Sequence, residues 1–396
     1  MRTSPNWSQC ACFLVCLAVG HPVLAGQENT TQSASEHMAQ CPAPTRKPGD
    51  PELPRVFVDT RMPTVTGSTI HVGDGQSFKA ALLKARAGDE IVLQAGATFT
   101  GPFTLPKKNG DEWIIIRSSA SSELPAGRRV GPEDRAHMAT IRTTSREPAI
   151  QTARGAHHYR LVGLEVLSTG YSSGLLDIGD WGASEPDEIA HHFILDRLYV
   201  HPLENQPTRR GISLMVANGA VINSYIGDFF EVGAQSQALL TGNSPGPLRI
   251  VNNYLSAASA GILLGGFDNA SKAMIPQDIE ICRNLFFKPA WFEPGHENYP
   301  GAIDGRHHFE SKYSSRVLFS GNVMVKNWNE AYGYAVVLKS TNQDGGNPWA
   351  KTSDVTVAYN HVRNSDFGFM AIGDGEHTGP VNHDIKLEHN LFEDIR

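Results

Sequence analysis

The chain is poor in cysteine. Of its five cysteines, Cys10, Cys12 and Cys16 crowd the N-terminus, which leaves Cys41 and Cys282 for everything else. So few cannot build the disulfide framework of a small secreted domain. Cys41 and Cys282 lie far apart, and Cys282 occupies a repeat position that reads as a packed strand. Two unpaired thiols are the expectation, with stability coming from a stacked core. Excess positive charge is also missing. The net charge is -7, which excludes broad nucleic-acid binding, since that needs a basic face. No phosphate-cradling P-loop, no Gly-x-Ser-x-Gly elbow and no His-Glu-x-x-His zinc motif is expected, and no two aspartates are adjacent. Past the N-terminus no apolar run is long enough to cross a bilayer.

What is present begins with a leader. Arg2 is followed by the apolar stretch Ala11 to Val23, and Val23-Leu24-Ala25 ends in a small residue suited to cleavage. Residues 1–25 therefore read as a signal peptide of a secreted protein, extracellular or periplasmic, with no membrane attachment after cleavage. Residues 26–66 are polar, proline-containing and without period, and read as a disordered linker. From 67 onward the chain reads as ordered. Phe78, Ala81, Leu82 and Ala85 have helical spacing, with Ser77 as the N-cap and Gly88 as the stop. A short amphipathic helix there suits the cap of a solenoid, because it covers a core end that would otherwise face water.

The dominant signal is a repeat. The segments 158–166, 192–200, 248–255, 278–286, 316–324, 354–362 and 384–392 share one template. Apolar residues fall two apart, then comes a polar pair, usually Asn, then an apolar residue. Period two means a strand with one buried face. Asn in the bend can take the left-handed conformation and bond neighbouring backbone. Stacking the repeats puts Asn253, Asn284, Asn322, Asn360 and Asn390 in a ladder. The longer intervals between them exceed the roughly 20–30 residues of a minimal coil, so loops are inserted on one side, where binding faces form. A second strand, opened by Gly211, Gly261, Gly333 or Gly368, precedes most of these segments. A β-propeller would need more strands per repeat. The fold class is all-β, a single-stranded right-handed parallel β-helix solenoid over residues 67–396 with a short N-terminal capping helix. The repeat pattern runs on to the last residues with no polar cap, so the solenoid is expected to be incomplete at its C-terminus or covered there.

This pattern resembles the right-handed parallel β-helix, pectate-lyase-like superfamily of secreted bacterial proteins, over about Gly67 to the end. The opening Ala87-Gly88-Asp89-Glu90-Ile91-Val92-Leu93, then Gly96, is similar to the first coil of the alginate-lyase and chondroitinase-B family. Phe309-Glu310-Ser311-Lys312, with Arg316 through Asn322, looks like a coil found in many secreted bacterial β-helix proteins. The resemblance implies a monomer acting on an acidic polysaccharide.

Candidate chemistry centres on Phe309-Glu310-Ser311-Lys312-Tyr313. If Phe309, Ser311 and Tyr313 point inward, Glu310 and Lys312 point outward together. Strands stacked about 4.8 Å apart then add Lys339 and Asp374 to the same face. Elimination at a uronate needs a base and a cation near the carboxylate. Lys312, Arg316 and Glu310 are the catalytic candidates, and Lys339, His308, Asp374, Trp328 and Trp349 the substrate-binding ones. Exposed charges on an outer sheet also serve simply for solvation. Calcium is the cofactor for which ligands can be nominated, Asp268 and Asp304, although both sit in Gly-rich loops where Asp commonly stabilises turns. His157-His158 and His191-His192 recur at matching positions, but with no third ligand evident zinc is not expected. The sequence-level function is a polysaccharide lyase. The alternatives are a hydrolase using two among Asp177, Asp180, Asp304, Glu310 and Asp374, and a non-catalytic glycan-binding or adhesive solenoid.

Overall fold

The computed structural model describes residues 40–329, 332–373 and 379–396; the signal-peptide expectation and Asp374 lie outside them. Among the described residues no helix is long and apolar enough to cross a membrane. The chain winds as a right-handed parallel β-helix with three strands per complete coil. Sheet A contains His157–Val162, Ala190–Asp196, Gly246–Val251, Gln277–Cys282, Ser314–Ser320 and Thr352–Ala358. Sheet B follows each after a tight bend, as in Leu164–Ser168, Tyr199–Pro202, Tyr225–Phe229 and Tyr254–Ala257. Sheet C closes the coil with Leu176–Gly179, Gln237–Thr241, Ala260–Leu264, Phe309–Ser311 and Tyr334–Lys339. One long strand, Arg210–Ile222, serves sheet C with its first half and sheet A with its second. Alternate apolar side chains from all three sheets fill the interior as a single column from Phe78 to Val362. Such stacking produces the period-two pattern in the sequence.

The helix Gly75–Lys84 plugs the N-terminal end of this column with Phe78, Ala81 and Leu82. Its N-cap is Asp74, not Ser77. The helix starts earlier than the apolar spacing suggests, and the Asp74 carboxylate accepts hydrogen bonds from both the backbone N–H and the hydroxyl of Ser77. The C-cap is Ala85, and Gly88 turns the chain beyond it with φ of +89°.

At the bend between sheets A and B, each ladder Asn bonds the next. Asn253 donates through Nδ2 to Oδ1 of Asn284 at 3.0 Å, and Asn284 in the same way to Asn322, Asn322 to Asn360 and Asn360 to Asn390. Each Oδ1 also accepts the backbone N–H of the preceding ladder residue. Ser224 starts the series by donating its N–H to Asn253. The left-handed conformation falls on the residue before each ladder Asn, at Asn252, Arg283, Gly321, Tyr359 and His389. An Asn side chain must point along the stack to bond its neighbour, so the residue ahead of it makes the turn.

The expected linker is, over residues 40–66, a strap packed on the outer face of sheet A. Cys41, Leu53 and Val58 pack against Ile194, Ala220, Ile222 and Leu318. The Asp278 carboxylate accepts the N–H of Arg55, and that of Asp354 accepts the N–H of Glu52. The buried Arg160 donates to the carbonyls of Thr60 and Arg61, and Lys386 pairs with Asp50 at 2.8 Å. Cys41 and Cys282 are disulfide-bonded, contrary to the expectation of two thiols. Cys282 does sit in a packed strand, but on its outward face, where the strap brings Cys41.

Candidate functional site

The outer face of sheet C carries a row of side chains fixed by strand register: Asp177, Ser213, Leu240, Leu263, Glu310, Val337 and Met370. At the centre of this row Leu240 and Leu263 pack with Met215 beneath Trp181 and Phe267. Polar chemistry is thus split into two ends. At one, Trp181 donates its indole N–H to Asp177 at 2.9 Å, and the Arg210 guanidinium lies over the Trp181 ring. Burial pushes Asp177 up and draws Arg210 down to about 10.

The other end holds Glu310, Lys312, Lys339 and His307. Phe309 fills the core, and the Ser311 hydroxyl bonds inside the coil to Ser314 and Thr352, so Glu310 and Lys312 project outward. They do not lie in open solvent. Glu310 is 1% exposed, because its neighbours and the adjoining loops cover it. Lys339, on the next coil, approaches its Oε1 at 2.8 Å and keeps part of its side chain at the surface. Burial pushes Glu310 up, but the charge of Lys339, with that of Lys312 beside it, outweighs this and holds it below the usual carboxylate value. Lys312 donates to Oε1 of Gln343 at 2.6 Å. Burial lowers His307 to about 4, so its imidazole is neutral near pH 7.

Several nominated residues lie elsewhere. Arg316 is on sheet A, bonding Asp278 and Gln277 beside the strap. Its backbone φ of +51° turns it away from sheet C and leaves it no part in this cluster. His308 is buried and packs toward Phe286, so it binds no substrate. Trp349 pins its loop by donating to Asn269. Trp328 lines a cavity of about 450 Å³ with Phe292, Tyr299, Asn329 and Asp366. Asp268 accepts the backbone N–H groups of Asp344 and Gly346, while Asp304 pairs with Arg306. The two sit in loops on opposite sides of sheet C and do not form a shared calcium site. Asp177 and Glu310 are four strand steps apart, about 19 Å at 4.8 Å per step, too far for a hydrolytic pair. Asp180 is taken up by Arg154.

Contrary to the expectation that no such motif is present, two stretches, 170–174 and 242–246, match the Gly-x-Ser-x-Gly spacing of a nucleophile elbow. Ser172 and Ser244 are both fully buried and donate to backbone carbonyls, and neither sits on a strand-to-helix turn. They are structural.

A pocket on the outer face of sheet B was also not foreseen. A cavity of about 320 Å³ is lined by Tyr199, His201, Asp228, Phe230 and Trp291. Tyr199 stacks on His201, and Tyr225 on Tyr254. Burial pushes Asp228 up, although Tyr225 hydrogen-bonds it. Burial also pushes on Glu165, but hydrogen bonds from His201 and Thr140 and the charge of Arg135 hold it below the usual range. The repeated tyrosine at one strand position was the available signal.

No family model matches the chain, and no curated protein sequence does. Solved structures do. A polygalacturonase from Erwinia carotovora ssp. carotovora aligns with a TM-score of 0.53 at 10% identity, over 86% of this chain and 95% of its own. An alginate lyase from Paenibacillus sp. aligns at 0.49 and 15% identity, over 83% and 98%. A pectate lyase aligns at 0.47 and 14%, over 84% and 78%. At these identities the likeness is one of fold, the right-handed parallel β-helix.

Proposed function

We propose that the protein is a secreted carbohydrate-active solenoid, a polysaccharide lyase that cleaves a uronate-containing glycan by β-elimination on sheet C. The observation that carries this reading is the Glu310–Lys339 pair. A buried carboxylate anchors an ammonium whose side chain is 19% exposed, which holds one cation in place at the surface of a rigid sheet. Such a preorganised cation suits the charge that develops on a uronate carboxylate when the adjacent proton leaves. Lys312, beside it, is the candidate base, acting as the neutral amine after it gives up one proton to solvent and its bond to Gln343 on substrate binding. Secretion is supported by the leader and by the Cys41–Cys282 disulfide, which belongs in an oxidising compartment. The polygalacturonase that aligns over 86% of this chain supports a glycan of this class. The test is unsaturated-uronate absorbance on alginate, pectate and chondroitin. Wild type is expected to produce it on one of them, and Lys339→Ala and Lys312→Ala to lose it. Tight glycan binding with no product would favour the non-catalytic reading.

A second reading, a glycoside hydrolase, is supported by the pocket on sheet B. There Asp228 lines the cavity and is held toward its acid form, while the buried Glu165, bonded by the lining residue His201, is held toward its ionised form, a division of roles that acid–base pairs use. New reducing ends without unsaturated product, abolished by Asp228→Asn, would establish it.

A further inference from the structure

The outer face of sheet A carries a histidine cluster that neither reading uses. His157-His158 opens one strand and His191-His192 the next, with His191 in register on His157. The rings stack coil on coil, His157 with His191 at 4.7 Å and 5°, and His158 with His192 at 4.3 Å and 10°. Within each pair the rings are nearly perpendicular, at 86° and 82°. Their Nδ1 atoms face one another at 2.9 Å in the first pair and 2.8 Å in the second. That arrangement depends on the left-handed backbone of His158 and His192, φ +56° and +57°, which turns the second ring of each pair back on the first. One ring nitrogen from each of His157, His158 and His191 lies within 4.8 Å of the others. The third ligand that the sequence seemed to lack comes from the coil above.

Ligand type selects among metals. Imidazole suits the late divalent ions, and copper(II) heads the affinity order with nickel(II) close behind. Room and support are both present. A cavity of about 480 Å³ lined by Asp59, Met62, Trp113, His192 and Asn218 opens beside the cluster, large enough for the remaining water ligands. Asn218, one coil further on, places Nδ2 3.2 Å from His192 Nε2. In the metal-free cluster this leaves the proton of neutral His192 on Nδ1, donated to His191, whose own proton is then on Nε2. With the two protons shifted, His191 Nδ1–H donates to His192 instead, the direction in which a metal-binding histidine is oriented by its outer-shell partner.

We propose that His157, His158 and His191 bind one divalent late-transition-metal ion, of copper(II) or nickel(II) type, with His192 orienting His191. In the metal-free cluster each facing pair shares one proton. Binding moves the proton between His157 and His158 to an outer ring nitrogen, so both lone pairs reach the ion; in the second pair the His191 proton moves from Nε2 to Nδ1 and the His192 proton to Nε2, with the Asn218 amide turned to present its oxygen, which frees Nε2 of His191. The test uses the full chain stripped with chelator, then exposed to copper(II), nickel(II) or calcium chloride and gel-filtered. One equivalent of copper or nickel should stay with the protein, and no calcium at this site. The His157→Ala/His191→Ala double variant should lose it, and His192→Ala should weaken it roughly 10- to 100-fold. Electron paramagnetic resonance of the copper-loaded wild type should show nitrogen hyperfine coupling from at least two imidazoles, a readout that does not depend on any variant folding. No retention by wild type, retention unchanged in the double variant, or a spectrum without nitrogen coupling would overturn the proposal.

Discussion

Cys41 and Cys282 are joined across 241 residues of sequence, with their Cα atoms 5.7 Å apart. The bond fastens the strap to the middle of sheet A, on the same strand as Glu280, which pairs with Arg249. Without the strap, Arg160 would lose the carbonyls of Thr60 and Arg61. Closing a long loop stabilises a fold by about 2–4 kcal/mol in typical cases. Cys282→Ser is therefore expected to lower the melting temperature and speed limited proteolysis within residues 40–66, leaving the coils resistant. Unchanged strap cleavage would show that Asp278, Asp354 and Lys386 hold it unaided.

The Asn ladder predicts a position-dependent cost. Asn322 is fully buried and satisfies the backbone N–H and side-chain amide of Asn284 through its Oδ1. Removing it orphans both donors, at about 1–3 kcal/mol for each buried group left unpaired. Asn390 ends the series and is partly exposed, so water replaces its bonds more easily. Denaturant midpoints should fall further for Asn322→Ala than for Asn390→Ala. Equal losses would mean the ladder adds nothing beyond local turn stability.

The coil architecture and the ladder were legible in the sequence because each is a local pattern repeated many times. The residues that mark them, such as Val317, Phe319 and Asn322, behave alike in every coil. What could not be read depends on contacts between distant segments. Nothing local in Pro42 or Val58 announces a strap, because the face it covers is built from coils as far apart as those of Arg160 and Lys386. Arg316 reads as a neighbour of Lys312 by number, yet four residues are enough to carry the chain around a corner from sheet C to sheet A. His157 and His191 did recur at matching positions, but only stacking converts that recurrence into shared space.

Glu310 gives the stability a pH signature. Its carboxylate is held below the usual value of 4.5 in the folded protein, its burial being outweighed by Lys339 and its other cationic neighbours. A depressed folded value means that the stabilisation is present above the unfolded value and lost as pH falls through the folded one. Breaking a buried pair from one side costs about 3–5 kcal/mol. Glu310→Gln should therefore be markedly less stable than wild type near neutrality, with the gap closing below pH 4.5. Replacing both partners, as in Glu310→Met with Lys339→Met, should cost less than Glu310→Gln alone. A gap that stayed constant down to acidic pH would show that Glu310 packs rather than pairs.

The bend before the ladder offers a reciprocal pair of variants. Gly321 and Tyr359 occupy the same position on consecutive coils, with φ of +63° and +56°. Glycine takes that conformation freely, whereas a side chain with a Cβ carries a penalty of about 1–2 kcal/mol there. A Cβ on Gly321 would also stand 3.0 Å from Cγ of Pro42, pressing on the strap next to its disulfide. Gly321→Ala should thus lose about 1–2 kcal/mol and loosen the strap. Tyr359 is 41% exposed, and its ring does no more than stack on His389. Asparagine tolerates the left-handed region, as Asn252 does at the same bend with φ of +59°. Tyr359→Asn is expected to raise stability by roughly 0.5–1 kcal/mol, read as a shift in the urea midpoint at unchanged slope. If Tyr359→Asn destabilises instead, the Tyr359–His389 stack contributes more than the backbone strain it imposes.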